Sequence, residues 1–278
     1  MSRGEPPAEE IRLLVSDIDG TLVRDDKSLP EVNRDAILGL AVAGVPTTLI
    51  SSRPPSGMLA LAAALRLTGP FAAFNGGTLF DPDGGIRFAH RLEAADAAAM
   101  LRLINRPGVT PWVYADGEWF VSGLDNPHLA RERLAAGVQP VIRNDFASLD
   151  GRIDKIVGVS DDHELLARLE ERAKSMIGTR ATVARSQLYY LDITHRLANK
   201  GDGIAALAQA FGVELTQVAA LGDMANDLPM FARAGLSVAM GQAPASVRTA
   251  ANATAATNNE GGVAEAVTRF VRPRIPRA

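Results

Sequence analysis

The chain has 278 residues, 47% hydrophobic and 22% charged, with 29 Lys+Arg against 32 Asp+Glu and a net charge of −3. A single core stops growing at roughly 250–300 residues, so this length holds one large domain or two modest ones. A slightly acidic balance without a Lys/Arg run argues against a nucleic-acid partner, and the absence of cysteine removes disulfides, thiolate metal sites and a cysteine nucleophile together.

MSRGEPPAEE at the N-terminus lacks the apolar core of a secretory signal. No apolar stretch approaches the roughly 18 residues of a membrane span, so a cytoplasmic protein with no membrane partner is expected. In chain order, the apolar run Ile11–Val15 ends at Asp17 and reads as a strand; Val32–Val42 has helical spacing before the Gly44-Val45-Pro46 break. A second strand from Thr47 stops at Ser51, a helix over Ser56–Leu65 follows Pro54-Pro55, and Phe71–Phe74 runs into Asn75-Gly76-Gly77. Strands alternating with helices imply a parallel sheet.

The pattern then changes. Two apolar runs flank Asp81-Pro82-Asp83-Gly84-Gly85, and two more, between Val109 and Val121, flank the hairpin signal Asp116-Gly117. Helical patterns at Glu93–Ile104, Asn126–Ala136 and Asp162–Met176 alternate with strands at Ile153–Val159, Ala181–Arg185 and Leu188–Ile193. A helix over Lys200–Phe211 and the strand Val218–Gly222 resume the parallel style, with further pieces to about Arg272. The expected fold class is α/β: a Rossmann-like parallel-sheet core with helices on both faces, from residues 11–81 and 194–272, carrying an inserted α+β cap unit, residues 82–193. Both Pro- and charge-rich ends, the first ten residues and RPRIPRA, are expected to fray.

Several strand ends carry polar chemistry. Asp17-Ile18-Asp19-Gly20 closes the first strand, where alternation puts both carboxylates on one side; an Asx turn is the plain reading, and the ligand-binding edge of an open α/β sheet is the other. Gly222-Asp223-Met224-Ala225-Asn226-Asp227 repeats this placement. Its two carboxylates are oxygen ligands of the kind Mg²⁺ prefers, although Asn226 or Asp227 could equally start the helix that follows. Lys200 opens a helix, where the dipole disfavours a cation and so calls for a negative partner. Ser51 offers a hydroxyl at another strand end.

In this order, DIDGTL at Asp17, Ser51 with Arg53, Lys200, and GDMAND from Gly222 resemble motifs one to four of the haloacid dehalogenase superfamily. The α+β insertion between the second and third motifs, with Phe74-Asn75-Gly76-Gly77 ahead of it, resembles the type IIB cap of the Cof-like phosphatases; Ser52 stands where the family usually shows glycine. That resemblance implies Asp17 as nucleophile, Asp19 as proton carrier, Ser51 and Lys200 as further catalytic groups, and Mg²⁺ held by Asp17, the Asp19 carbonyl and Asp223 with Asp227 in support. It also implies substrate contacts at Arg53, Asn75 and Asn226.

The expected activity is Mg²⁺-dependent hydrolysis of a small phosphorylated metabolite, a sugar or polyol phosphate, through an aspartyl-phosphate, by a monomer or homodimer. A phosphomutase of the same superfamily and a non-catalytic regulator that binds phosphometabolites are the alternatives. Trp112, Tyr114 and Trp119 share one hairpin face and read as sheet packing within the cap core, and Arg143, Arg185 and Tyr189 are bare candidates for substrate contact. Gly201-Asp202-Gly203 matches a relaxed dinucleotide fingerprint but follows a polar loop, not a strand.

Overall fold

The computed structural model describes residues 10–275. It opens with β1 (Leu13–Ser16), α1 (Glu31–Val42), β2 (Thr47–Leu49) and α2 (Ser56–Ala64). Next come β3 (Phe71–Ala73), β4 (Thr78–Phe80) and β5 (Ile86–Ala89), which pair antiparallel with one another. A middle stretch holds α3 (Ala94–Ile104), β6 (Thr110–Ala115), β7 (Glu118–Val121), α4 (Leu129–Ala136), β8 (Pro140–Ile142), β9 (Ile153–Val159), α5 (His163–Ile177), β10 (Ala181–Gln187) and β11 (Tyr190–His195). The chain then runs through α6 (Lys200–Phe211), β12 (Val218–Gly222), α7 (Leu228–Phe231), β13 (Leu236–Ala239), α8 (Ala245–Ala250), β14 (Ala253–Thr254) and α9 (Gly262–Ala266).

Five strands form a parallel sheet in the order β14-β13-β12-β1-β2. Parallel strands are covered on both faces, and β1 accordingly reads Leu-Leu-Val-Ser with all four residues buried. Leu14 packs with Ile37 and Leu40 of α1 and Val263 of α9. Leu13 and Val15 point the other way, into a cluster with Ile204 and Leu207 of α6. Burying each such side chain contributes about 1.5–3 kcal/mol relative to leaving it exposed, so the sheet edge that presents the polar loops rests on a rigid, two-sided core.

A second sheet has the order β10-β11-β9-β6-β7-β8, antiparallel except between β7 and β8. Asp116 (φ 54°) and Gly117 (φ 79°) make its tight hairpin turn, which needs left-handed backbone at both positions, and they set Tyr114 opposite Trp119. Alternation then sorts the side chains. Val113, Ile156 and Ile193 pack with Leu103 of α3 and Leu166 of α5, whereas Trp112, Tyr114, Trp119 and Tyr190 join the cluster of the parallel-sheet unit. The three hairpin aromatics therefore pack in a sheet, but at the junction of the two units and not in the cap's own helix-covered core; the Tyr114 and Phe74 ring centroids lie 5.8 Å apart.

Other local differences have simple causes. Asn126 accepts the His128 N–H at 2.9 Å in a turn, so α4 begins at Leu129. β8 has three residues, two of them exposed, and carries no alternation to read. β5 pairs with β4, so the three-stranded sheet carries the chain past residue 82 before it enters the six-stranded one. Arg274 accepts the Ile11 N–H through its carbonyl at 2.9 Å, which ties down part of the tail expected to fray; residues 1–9 and 276–278 lie outside the described residues. Gly201-Asp202-Gly203 serves close packing: a Cβ on Gly203 would fall 2.6 Å from Ile50 Cδ1 and 2.8 Å from Gly76 Cα. No helix among the described residues is long and apolar enough to cross a membrane.

Candidate active site

The carboxyl ends of adjacent parallel strands bring the polar loops together, as open α/β sheets do at their ligand-binding edge. Asp17 directly follows β1, Ser51 lies two residues beyond β2, and Asp223 directly follows β12. All three are buried.

Lys200 is the first residue of α6, whose N-cap Asn199 accepts the Asp202 N–H at 2.9 Å. Only 1% exposed, its ammonium needs anions, and it has two: Nζ lies 2.6 Å from Asp17 Oδ1 and 2.6 Å from Asp227 Oδ1. Burial works to lower the Lys200 pKa, but the two carboxylates override it and hold it well above the ordinary lysine range. Asp227 Oδ2 accepts the backbone N–H groups of Asp223 and Met224, each at 2.8 Å. Both Asp227 oxygens are thus engaged, one orienting Lys200 and the other shaping the turn that presents Asp223.

Asp17, Asp223 and Asp227 each place a carboxylate oxygen within 4.8 Å of the others. Burial raises the pKa of Asp17 and of Asp223, with added repulsion from Asp227 and an opposing pull from Lys200. Buried hard oxygens that repel one another are relieved by protons or by a divalent cation, and this donor set suits Mg²⁺, which takes carboxylates in small number with waters and phosphate oxygens. Thr21 Oγ1 lies 3.3 Å from Asp223 Oδ1, and Gln242 Nε2 donates to the Gly20 carbonyl at 2.6 Å and reaches Asp223 Oδ2 at 3.4 Å. Both were missed in the sequence, although Thr21 sits inside the first motif and Gln242 lies just beyond the end of β13, the same kind of position that marked the others.

Asp19 faces different partners. Arg53 Nε and Nη2 meet its two oxygens at 2.7 and 2.8 Å, and Lys27 Nζ bonds Oδ1 as well. Burial acts to raise the Asp19 pKa, and these cations overcome it, holding the carboxyl well below the usual range. Lys27 carried no local signal in the sequence. It stands at φ 70° in the loop after the first motif, and only the folding back of that loop brings it to Asp19.

Ser51 Oγ accepts the Arg53 N–H at 3.2 Å, and the Asn75 N–H donates to the Ser51 carbonyl at 2.7 Å. Asn75 holds a left-handed φ of 59°, which asparagine tolerates, and its Oδ1 accepts from Asn226 Nδ2 at 3.2 Å. Ser52 offers its carbonyl to Lys155 Nζ at 2.9 Å, a bond from the parallel-sheet unit to the inserted one. A cleft of about 370 Å³ opens between the units, with Asn75, Lys200 and Asn226 on one wall and Arg185, paired with Glu170 at 3.0 Å, on the other. Tyr189 borders a smaller pocket beside Asp19. Arg143 is brought to neither: its guanidinium lies over the Phe120 ring and donates to Ser148.

Residues 14–267 match the haloacid dehalogenase-like hydrolase family. YxeH of Bacillus subtilis, provisionally named a phosphatase, is 30% identical over 270 residues, which cover 94% of this chain and 98% of that protein. The 5-amino-6-(5-phospho-D-ribitylamino)uracil phosphatase YcsE of Bacillus subtilis is 26% identical over 262 residues, covering 94% and 96%. A solved sugar phosphatase of HAD subclass IIB shares the fold, with a TM-score of 0.81 at 22% identity over 93% of this chain and 98% of its own. This chain belongs to the haloacid dehalogenase-like hydrolases, is a phosphatase among them, and shares the fold of that subclass IIB structure.

Proposed function

We propose that the protein is a Mg²⁺-dependent phosphomonoesterase that hydrolyses a small phosphorylated metabolite, a sugar or polyol phosphate, through an aspartyl-phosphate on Asp17. The observation that carries this reading is the buried contact of Asp17 Oδ1 with Lys200 Nζ at 2.6 Å, with the Asp223 carboxylate in the same cluster. It leaves Asp17 as an oriented carboxylate at a strand end.

Asp17 attacks phosphorus, and the bond to the leaving oxygen breaks as Asp19 donates its proton there. Asp19 then takes a proton from the water that hydrolyses the acyl phosphate, so one slow hydrolysis becomes two easier steps. The cations around Asp19 favour its ionised form, which the second step needs; a phosphate dianion competing for Arg53 and Lys27 frees the carboxyl to carry a proton in the first. Ser51, Asn75 and Lys200 hold the transferring oxygens. Asp17, Asp223 and the Asp19 carbonyl would hold Mg²⁺, with Asp227 acting through Lys200 and the turn; bound there, the ion offsets negative charge on the phosphoryl oxygens. Residues 82–193 serve as the cap over the core of residues 11–81 and 194–272, closing above the cleft to exclude water. His90, just after β5, and His195, the last residue of β11, stack with centroids 5.1 Å apart.

The test is phosphate release from a panel of sugar phosphates, with and without Mg²⁺, by wild type and Asp17→Asn. Turnover that needs the metal and vanishes in the variant is expected. Equal turnover by both proteins, or an isomerised sugar phosphate in place of free phosphate, would overturn the reading.

A further inference from the structure

Beside Asp19, where the two units meet, lies a pocket of about 40 Å³. A site needs roughly 10–15 Å³ on this measure to hold one water, so the pocket fits an oxyanion group and not a sugar ring. Its walls carry four basic side chains, Lys27, Arg53, Arg131 and Lys155, against two acidic ones, Asp19 and Glu132.

Both acids are already engaged. Arg53 and Lys27 share Asp19, and Glu132 accepts the hydroxyls of Tyr114 and of Tyr190, the latter at 3.0 Å. Neither Lys155 nor Arg131 forms an ion pair with a carboxylate within 4.0 Å among the described residues. Arg131 stands on the exposed side of α4, but Lys155 is 4% exposed, with Nζ on one neutral acceptor, the Ser52 carbonyl, and 4.7 Å from the Tyr114 ring centroid. A buried ammonium with no carboxylate in ion-pair contact is costly and leaves two N–H donors unused. A further buried acid, Asp192, feels the charge of Lys155 but lines no part of the pocket. The walls thus hold two more cations than anions, beside the residue assigned to protonate the leaving oxygen.

We infer that this pocket is an anion subsite for the leaving group: the substrate carries a second oxyacid group, carboxylate or phosphate, which Lys155 and Arg131 bind. This rests on the phosphatase reading of Asp17. A polyol phosphate without that group leaves the buried Lys155 ammonium unanswered, which is how a polar site discriminates against a neutral analogue. Ser186 and Tyr189 add hydroxyl groups to the same wall.

The experiment compares kcat/KM within matched pairs, glycerol 3-phosphate against 3-phosphoglycerate and fructose 6-phosphate against fructose 1,6-bisphosphate, with p-nitrophenyl phosphate as a substrate lacking a second anion. Wild type, Arg131→Ala, Lys155→Met and Lys155→Arg are assayed. The expected result is a preference of about tenfold or more for the doubly anionic member of at least one pair. That preference falls about tenfold in Arg131→Ala and Lys155→Met, through KM and not kcat, and returns in part in Lys155→Arg. Which pair responds tells carboxylate from phosphate. Hydrolysis by wild type without the preference, or a preference unmoved in Arg131→Ala and Lys155→Met, overturns the subsite alone. No hydrolysis of any compound, p-nitrophenyl phosphate included, overturns the phosphatase reading and the subsite with it.

Discussion

Arg53 grips Asp19 with two prongs of its guanidinium, Nε 2.7 Å from Oδ2 and Nη2 2.8 Å from Oδ1. Such a planar, two-point pair fixes orientation as well as charge, which a lysine at that position could not do. Arg53 is itself anchored, with Nη1 donating to the Gly57 carbonyl at 3.0 Å.

Asp19→Asn should therefore lower kcat by about 10²–10⁴, the usual worth of a positioned proton carrier. Arg53→Lys should lower it less, by keeping the charge and losing the geometry. Steady-state phosphate release measures both, and an Asp19→Asn enzyme with the wild-type rate would remove Asp19 from the mechanism.

Lys200→Met tests how far the fold depends on this ion cluster. The change leaves Asp17 and Asp227 facing each other in a buried site with their shared cation gone, and breaking such a group typically costs about 3–5 kcal/mol. Urea unfolding in the absence of metal should show that loss. A midpoint unchanged from wild type would mean that the ion pairs add nothing to the fold.

At Gly20, φ is 79° and an added Cβ would lie 2.3 Å from Asp223 Oδ2. Gly20→Ala must strain the backbone or push the Asp223 carboxylate aside. Mg²⁺ affinity measured by calorimetry should weaken about 10–100-fold, as when the supports of a metal ligand are lost. Native affinity in this variant would argue against Asp223 as a ligand.

Away from the Asp17, Asp223 and Asp227 cluster, Asp154 on β9 gives a pH test. Burial pushes its pKa up from 3.8 to about 6, despite Arg91 at 3.4 Å. Because the native state holds this proton more tightly than the unfolded chain, stability is lost as pH rises from about 4 through about 6. Asp154→Asn cannot titrate, so its Tm should gain on wild type across that window and keep the gain above it. Parallel Tm curves for the two proteins would refute the assignment.

Much of this site was legible in the chain because it is written in local terms. Asp17, Ser51 and Asp223 each end or follow an apolar strand run, and Lys200 starts a helix, where a cation calls for anions. Lys27, Lys155 and Glu132 were not legible, since they reach the site region from a loop, from the inserted sheet and from α4 without any local pattern that marks them. Trp112 and Trp119 show the boundary well. Period-2 alternation put them on one face, but nothing in that period says which neighbour the face will meet.

What the chain determined by itself is everything set by short-range chemistry: strand and helix periods, the Asp116-Gly117 turn, and the polar groups at strand ends. The tertiary structure decided the pairings. Lys200 lies between Asp17 and Asp227 because strand order puts β12 beside β1, with α6 packed on their shared face. Asp19 meets Arg53 because β2 flanks β1 on its other side, and Lys155 meets Ser52 because the second sheet docks its aromatic face on the first unit. Contacts between residues tens to hundreds of positions apart depend on which strands lie adjacent and how units dock, and that information resides in the packing of whole surfaces, not in the spacing of any one segment.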